Sequence, residues 1–216
     1  MVRYAIANST LQILLTPNFP LTMNLESLLK LNRTIRVIGF DDAPFIRGAG
    51  KNVNLAGIIC GGTRFEGMVW GELQQDGFDS TETICKLLIG SKFLPQLHIV
   101  LLDGIGFGGF NIVDLPTLAE KLQLPCVAVM RRQPDLDAVT LAMSHLPNLE
   151  KRQELLRRAG TIYEYSPFVF QVCGEQPEII AKVLEKLTDC GKVPEALRLA
   201  HLISAAVMKG ESGSSA

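Results

Sequence analysis

Apolar residues in this chain fall into two rhythms that alternate along its length. Residues 34–41 (TIRVIGFD) are rich in β-branched side chains and run into a second acid and then a proline. That pattern predicts a buried strand opening into a loop at its carboxyl end. Residues 52–61 (NVNLAGIICG) and 64–74 (RFEGMVWGELQ) flank a Gly-Gly-Thr turn. Their closeness requires antiparallel pairing, because a parallel return needs a crossover of about a dozen residues or more. Ile84, Leu87 and Leu88 then recur at helical spacing over 79–90, with Asp79 or Ser80 placed to cap. Residues 96–103 (QLHIVLLD) are almost wholly apolar until the last position. A strand covered on both faces reads that way.

The second half continues with a helix at 114–122, a buried strand at 125–131 (PCVAVMR) and helices near 135–145 and 148–159. TIYEY and FVFQV form a hairpin about Ser166-Pro167. Helices at 177–188 and 194–209 each open on a proline, which suits a first turn. Strands that alternate with helices between 79 and 131 should run parallel, with right-handed crossovers. Three antiparallel strands followed by two parallel ones predict an α/β fold of ribonuclease H-like layout. Its mixed sheet has the order 3-2-1-4-5, with helices on both faces. The first and fourth strands then lie side by side, about 4.8 Å apart, and their carboxyl ends carry Asp41 and Asp103. Ligands of open sheets bind beyond such ends, where the chain switches sides.

Residues 33–209 read as one domain, 1–32 as an N-terminal extension outside it, and 210–216 as a frayed polar tail. Residues 1–22 read either as an extension packed outside the core or as the product of an upstream start codon. Among the 216 residues, 47% are hydrophobic and 20% charged, which excludes a disordered chain. No apolar run reaches the roughly 20 residues that span a bilayer, so no membrane role is expected. The 21 basic and 22 acidic side chains leave a net charge of -1. Attraction to a polyanion must therefore come from a local patch, for which Arg131, Arg132 and the run Lys151, Arg152, Arg157, Arg158 are the candidates. Five scattered cysteines without a CxxC pair predict reduced thiols and a cytoplasmic protein.

Candidate chemistry gathers at the carboxyl edge, in FDDAPF (40–45), QQDGFDSTE (74–82), LLDGIGFGGFN (101–111) and VMRRQPD (129–135). Asp41 and Asp103 could ligate Mg2+ or Mn2+, which take oxygen ligands, with Glu82 as a third ligand or a water-positioning group. Arg131 offers phosphate a planar two-pronged donor. Each acid also has a structural reading, since Asp-Gly is a turn pair and Asp79 a plain cap. The glycines at 104, 106, 108 and 109 match neither a P-loop nor the dinucleotide fingerprint, though they would let a backbone approach a ligand. Asn111 could donate to a phosphate or cap the next helix. His98 reads as a satisfied core imidazole, while His145 and His201 lie on helices far in sequence from the acids. No Ser-His-Asp order is present.

IRVIGFDDAPF, DGFD, LLDGIGFGGFNIVD, VAVMRRQPD and LRLAHLISAAVMKGES, in this order, resemble the family called domain of unknown function 99. The resemblance covers about residues 33–213. That family is similar to endonuclease V, which implies a ribonuclease H-like fold and magnesium-dependent cleavage of nucleic acid near deaminated bases. Carried over by motif, the site would comprise Asp41, Glu82 and Asp103 as metal ligands, with Arg131 where endonuclease V has a lysine. Asp42, Asp76 and Asp79 resemble signatures of the unknown-function family and, with Asn111, Arg131 and Arg132, would contact substrate. The His-Pro-Arg segment after Asp-Gly is absent, and the Tyr-Ile-Pro wedge is replaced by QQDGF before Glu82. A base-flipping enzyme needs a pocket and a wedge to offset unstacking. Two functions remain open: a magnesium-dependent nuclease, or a non-catalytic module that docks nucleic acid or a partner. An enzyme acting on small nucleotides is a third.

Overall fold

A computed structural model describes residues 23–48 and 51–213. The expectations for residues 1–22 and for 214–216 lie outside the described residues. Strands β1 (Arg36–Asp42), β2 (Asn52–Gly61) and β3 (Arg64–Gln74) form an antiparallel meander, as their spacing requires. Helix α2 (Ser80–Leu88) leads through a 3₁₀ turn (Leu94–Gln96) to β4 (Ile99–Asp103), which pairs parallel to β1. A two-stranded ribbon of β5 (Gly106–Phe107) and β6 (Asn111–Ile112) occupies the glycine-rich stretch. Then come α3 (Leu115–Leu122) and β7 (Cys126–Met130), parallel to β4.

Helices α4 (Leu136–Met143) and α5 (Leu149–Arg158) precede the hairpin of β8 (Tyr163–Tyr165) and β9 (Phe168–Cys173). Helices α6 (Pro177–Lys186) and α7 (Glu195–Lys209) complete the chain's second half. The sheet order is β3-β2-β1-β4-β7-β9-β8. The expected five-strand order is therefore present and continues into the hairpin. Among the described residues no helix is long and apolar enough to cross a membrane.

Strand parity sorts the side chains into two cores. Ile38, Phe40, Val100 and Leu102 face α2 and α3. Ile35, Val37, Ile99, Leu101, Val127 and Val129 face α6 and α7. Residues 25–30, placed outside the core in the sequence reading, form helix α1 (Leu25–Lys30), whose buried Leu25 and Leu28 join the second cluster. His98 Nδ1 accepts a hydrogen bond from the Arg36 amide at 2.9 Å.

The approach of α7 depends on one glycine. A Cβ on Gly39 would stand 2.7 Å from the backbone carbonyl carbon of Ala196 and 2.8 Å from the amide nitrogen of Leu197. No flexible side chain is there to yield. Gly39→Ala should therefore push α7 off β1, costing about 1–3 kcal/mol as over-packing does. Thermal denaturation checks this, and an unchanged midpoint would refute it.

Candidate metal centre

Asp41 and Asp103 meet because of register and parity. The last β1–β4 pair is Phe40 with Leu102, so each aspartate stands one residue beyond the end of its ladder. Successive strand side chains alternate between faces, so Asp41 shares a face with Val37, and Asp103 with Ile99 and Leu101. That is the face covered by α7. Five residues after its contact with Gly39, α7 delivers His201, whose Nδ1 lies 2.9 Å from Asp41 Oδ2. Asp41, Asp103 and His201 each offer a ligand atom, and these atoms all lie within 4.8 Å of one another. Arg131, on the same face one residue past β7, donates to Asp103 Oδ2 at 3.4 Å. These four residues and the 42–45 loop line an open cavity of about 540 Å3.

The electrostatics of this cavity favour a bound proton or a cation. Asp41 is 5% exposed, and its carboxyl is pushed up from 3.8 to about 8. Burial is the largest cause, followed by the negative charges of Asp103 and Asp42. Burial also raises Asp42, against the amide hydrogen bond from Gly108. A buried carboxylate beside like charges must take up a proton or bind a positive ion. Two carboxylates with one imidazole suit magnesium or manganese, the imidazole favouring the softer of the two. The donor set fits a divalent cation.

The structure corrects several sequence expectations. Glu82 is not part of the group. It stands on α2, which packs against the opposite face of the sheet, and its exposed carboxylate accepts a hydrogen bond from Lys121 at 2.9 Å. Asp76, Asp79 and Asn111 do not line the cavity; they brace loops. Asp79 accepts from the amide of Gln74 and from Asn111 Nδ2 at 2.6 Å. Asn111 Oδ1 in turn accepts from the Ser80 amide, so the cap of α2 comes from 31 residues away, not from Asp79. Asp76 Oδ1 accepts from Phe110 N at 2.8 Å. The glycine loop's amides are likewise turned inward: Gly108 N donates to Asp42 Oδ2 at 2.7 Å and Gly104 N to the Val129 carbonyl. Asp42 does line the cavity, and Arg132 is exposed just past Arg131.

His201 is the residue that sequence reasoning missed. Its only signal is position: it sits one turn from Leu197 and from Ala205 on the buried stripe of α7, where an imidazole is out of place among small apolar neighbours.

A family model described as "Endonuclease dU" matches residues 33–208. The chain belongs to the endonuclease dU family. Among its relatives, a UPF0215 protein of Pyrococcus furiosus is 39% identical over 188 residues, covering 85% of this chain and 97% of that one. A UPF0215 protein of Pyrococcus horikoshii is 40% identical with the same coverage. A crystal structure of a protein of unknown function from Archaeoglobus fulgidus superposes with a TM-score of 0.75 at 31% identity, covering 80% of this chain and 98% of that one. The catalytic domain of human endonuclease V superposes at 0.58 with 14% identity, covering 88% of each chain. Endonuclease V of Ciona intestinalis, in complex with DNA containing an inosine, gives 0.54 at 15% identity, covering 83% of this chain and 88% of that one. At such identities the endonuclease V likeness is one of fold. This chain thus shares the endonuclease V fold.

Proposed function

We propose that this member of the endonuclease dU family is a divalent-cation-dependent endonuclease that hydrolyses DNA phosphodiesters beside deoxyuridine. One observation carries the reading: Asp41, Asp103 and His201 bring ligand atoms within 4.8 Å of one another at the sheet's carboxyl edge, with Arg131 beside Asp103. Asp41, Asp103 and His201 would hold the cation, magnesium or manganese. When bound, it would polarise the scissile phosphate and lower the pKa of an attacking water. Arg131, half exposed at the cavity rim, would fork onto a non-bridging phosphate oxygen. Asp42, turned to Gly108, steadies the loop that follows Asp103.

The name of the family supports deoxyuridine, and the DNA complex of Ciona endonuclease V supports nucleic acid as the polymer. A mainly apolar cavity of about 580 Å3, walled by Ile105, Met130, Leu156 and Gln171, opens on the other face of the sheet, with its lining close in sequence to the carboxyl edge. Ile105 lies two residues past Asp103, and Met130 immediately precedes Arg131. An extruded base fits such a space. Gln171 is 5% exposed and donates Nε2 to the Gly160 carbonyl. Among the described residues no donor is seen on its Oε1, which would accept N3–H of uracil, a proton that cytosine lacks. All five thiols are free, which suits a cytoplasmic enzyme.

The test is cleavage of end-labelled DNA carrying one deoxyuridine, deoxycytidine or deoxyinosine, with Mg2+, Mn2+ or EDTA. Cutting is expected only with a divalent ion and preferentially beside deoxyuridine. Gln171→Leu should lower kcat/KM on deoxyuridine about tenfold, the worth of one hydrogen bond of ~1.4 kcal/mol. DNA binding without cutting under any metal would replace this reading with that of a non-catalytic module.

A further inference from the structure

Arg152 is the bulkiest fully buried side chain among the described residues, 1% exposed on an otherwise polar helix. Its hydrogen-bond acceptors are all backbone carbonyls. It donates to those of Asp76 and Phe110, and at 3.3 Å to those of Gly77 and Pro147. Its guanidinium carbon also lies 4.3 Å from the Phe78 ring centroid. Burying a guanidinium is costly unless its donors are met. Here a planar fork meets carbonyls of two separate loops at once, which a lysine's point charge could not.

Those loops lead to the metal centre. Phe110 closes the stretch that starts directly after Asp103. Asp76 binds the stretch a second time, through its carboxylate on Phe110 N and its own amide on the Gly108 carbonyl at 2.9 Å. Gly108 N then donates to Asp42 Oδ2, beside Asp41 in sequence. A run of hydrogen bonds therefore links Arg152 on α5, through Asp76 and Gly108, to the carboxylate of Asp42 at the end of β1.

We propose that Arg152 is a positioning residue for the metal centre, orienting Asp42 through the 104–110 loop and so fixing the end of β1 that carries Asp41. This rests on the metal centre proposed above. Groups that orient ligands from behind typically govern affinity by about ten- to a hundredfold.

The experiment titrates Mn2+ into the full chain by calorimetry for wild type, Arg152→Lys, Asp42→Asn and the double variant. Amide exchange at Gly108 and Phe110 is followed in parallel. Arg152→Lys should weaken Mn2+ ten- to a hundredfold and speed exchange at both amides, with β1 and β4 amides unchanged. The double variant should bind no worse than the weaker single one, because both substitutions break the same connection. Unchanged Mn2+ affinity, or penalties that multiply, would overturn the proposal, since a purely structural arginine lowers stability alone. If Arg152→Lys does not fold, Asp76→Ala cuts the same connection and carries the same expectations. A wild type that binds no Mn2+ refutes the metal centre itself; unaltered Gly108 exchange in the variant refutes the role of Arg152 separately.

Discussion

Asp103→Asn should yield a folded protein that has lost DNA cleavage by at least about 10³-fold, a barrier increase of ~4 kcal/mol. It should also melt at a higher temperature than wild type when no metal is present. Both effects come from one charge. Asp103 supplies a ligand atom to the Asp41–His201 group and is the second-largest cause, after burial, of the raised Asp41 carboxyl. Removing it deletes a ligand and relieves a repulsion together. Active sites commonly hold such strain, so loss of function accompanies a gain in stability. Glu82→Gln is the informative contrast. Its carboxylate lies with Lys121 on the other side of the sheet, so cutting should continue at the wild-type rate. Cleavage assays with melting curves decide the matter: an active Asp103→Asn, or an inactive but folded Glu82→Gln, would refute the assignment.

The metal-free protein should lose stability as pH rises from about 4 to about 8. Asp41 has an ordinary value of 3.8 and a folded value of about 8. Below 3.8 both the folded and the unfolded chain hold the proton. Between the two values the unfolded chain has released it while the folded chain retains it, so the unfolded state binds fewer protons and stability falls with pH. Above about 8 both are ionised and the slope vanishes. The ceiling on the slope is about 1.4 kcal/mol per pH unit for one such group. Divalent cations bind the ionised form, so Mg2+ or Mn2+ should raise the midpoint more at pH 8 than at pH 5. Denaturant melts across this range test the sign. Stability that climbs through the window in wild type, but not in Asp41→Asn, would show that Asp41 is not destabilised by its surroundings.

Much of the fold was legible because strands announce themselves locally. β2 and β3 run over the residues that their alternation and the Gly-Gly-Thr turn indicate. β1 and β4 each end on an aspartate-bearing edge, within two or three residues of expectation at their starts. The β5–β6 ribbon was not legible, because a glycine-rich stretch carries no periodicity and its pairing depends on Asp42 and Asp76 from elsewhere. Arg152 likewise belongs by sequence to the basic run offered as a patch for a polyanion; only the arrival of two loops at α5 buries it.

By itself the sequence determined the alternation of elements, the strand order at the centre of the sheet and the two aspartates at its carboxyl edge. These follow from period-two and period-3.6 patterning and from the rules that pair neighbouring strands. Only the tertiary structure decided which titratable side chain joins the two aspartates. Glu82 and His201 are both titratable residues on amphipathic helices, and nothing local says which helix covers which face. The choice is made by packing: β1 presents a bare glycine backbone at Gly39, α7 settles there through Ala196 and Leu197, and His201 is carried to Asp41 while α2 holds Glu82 on the far side.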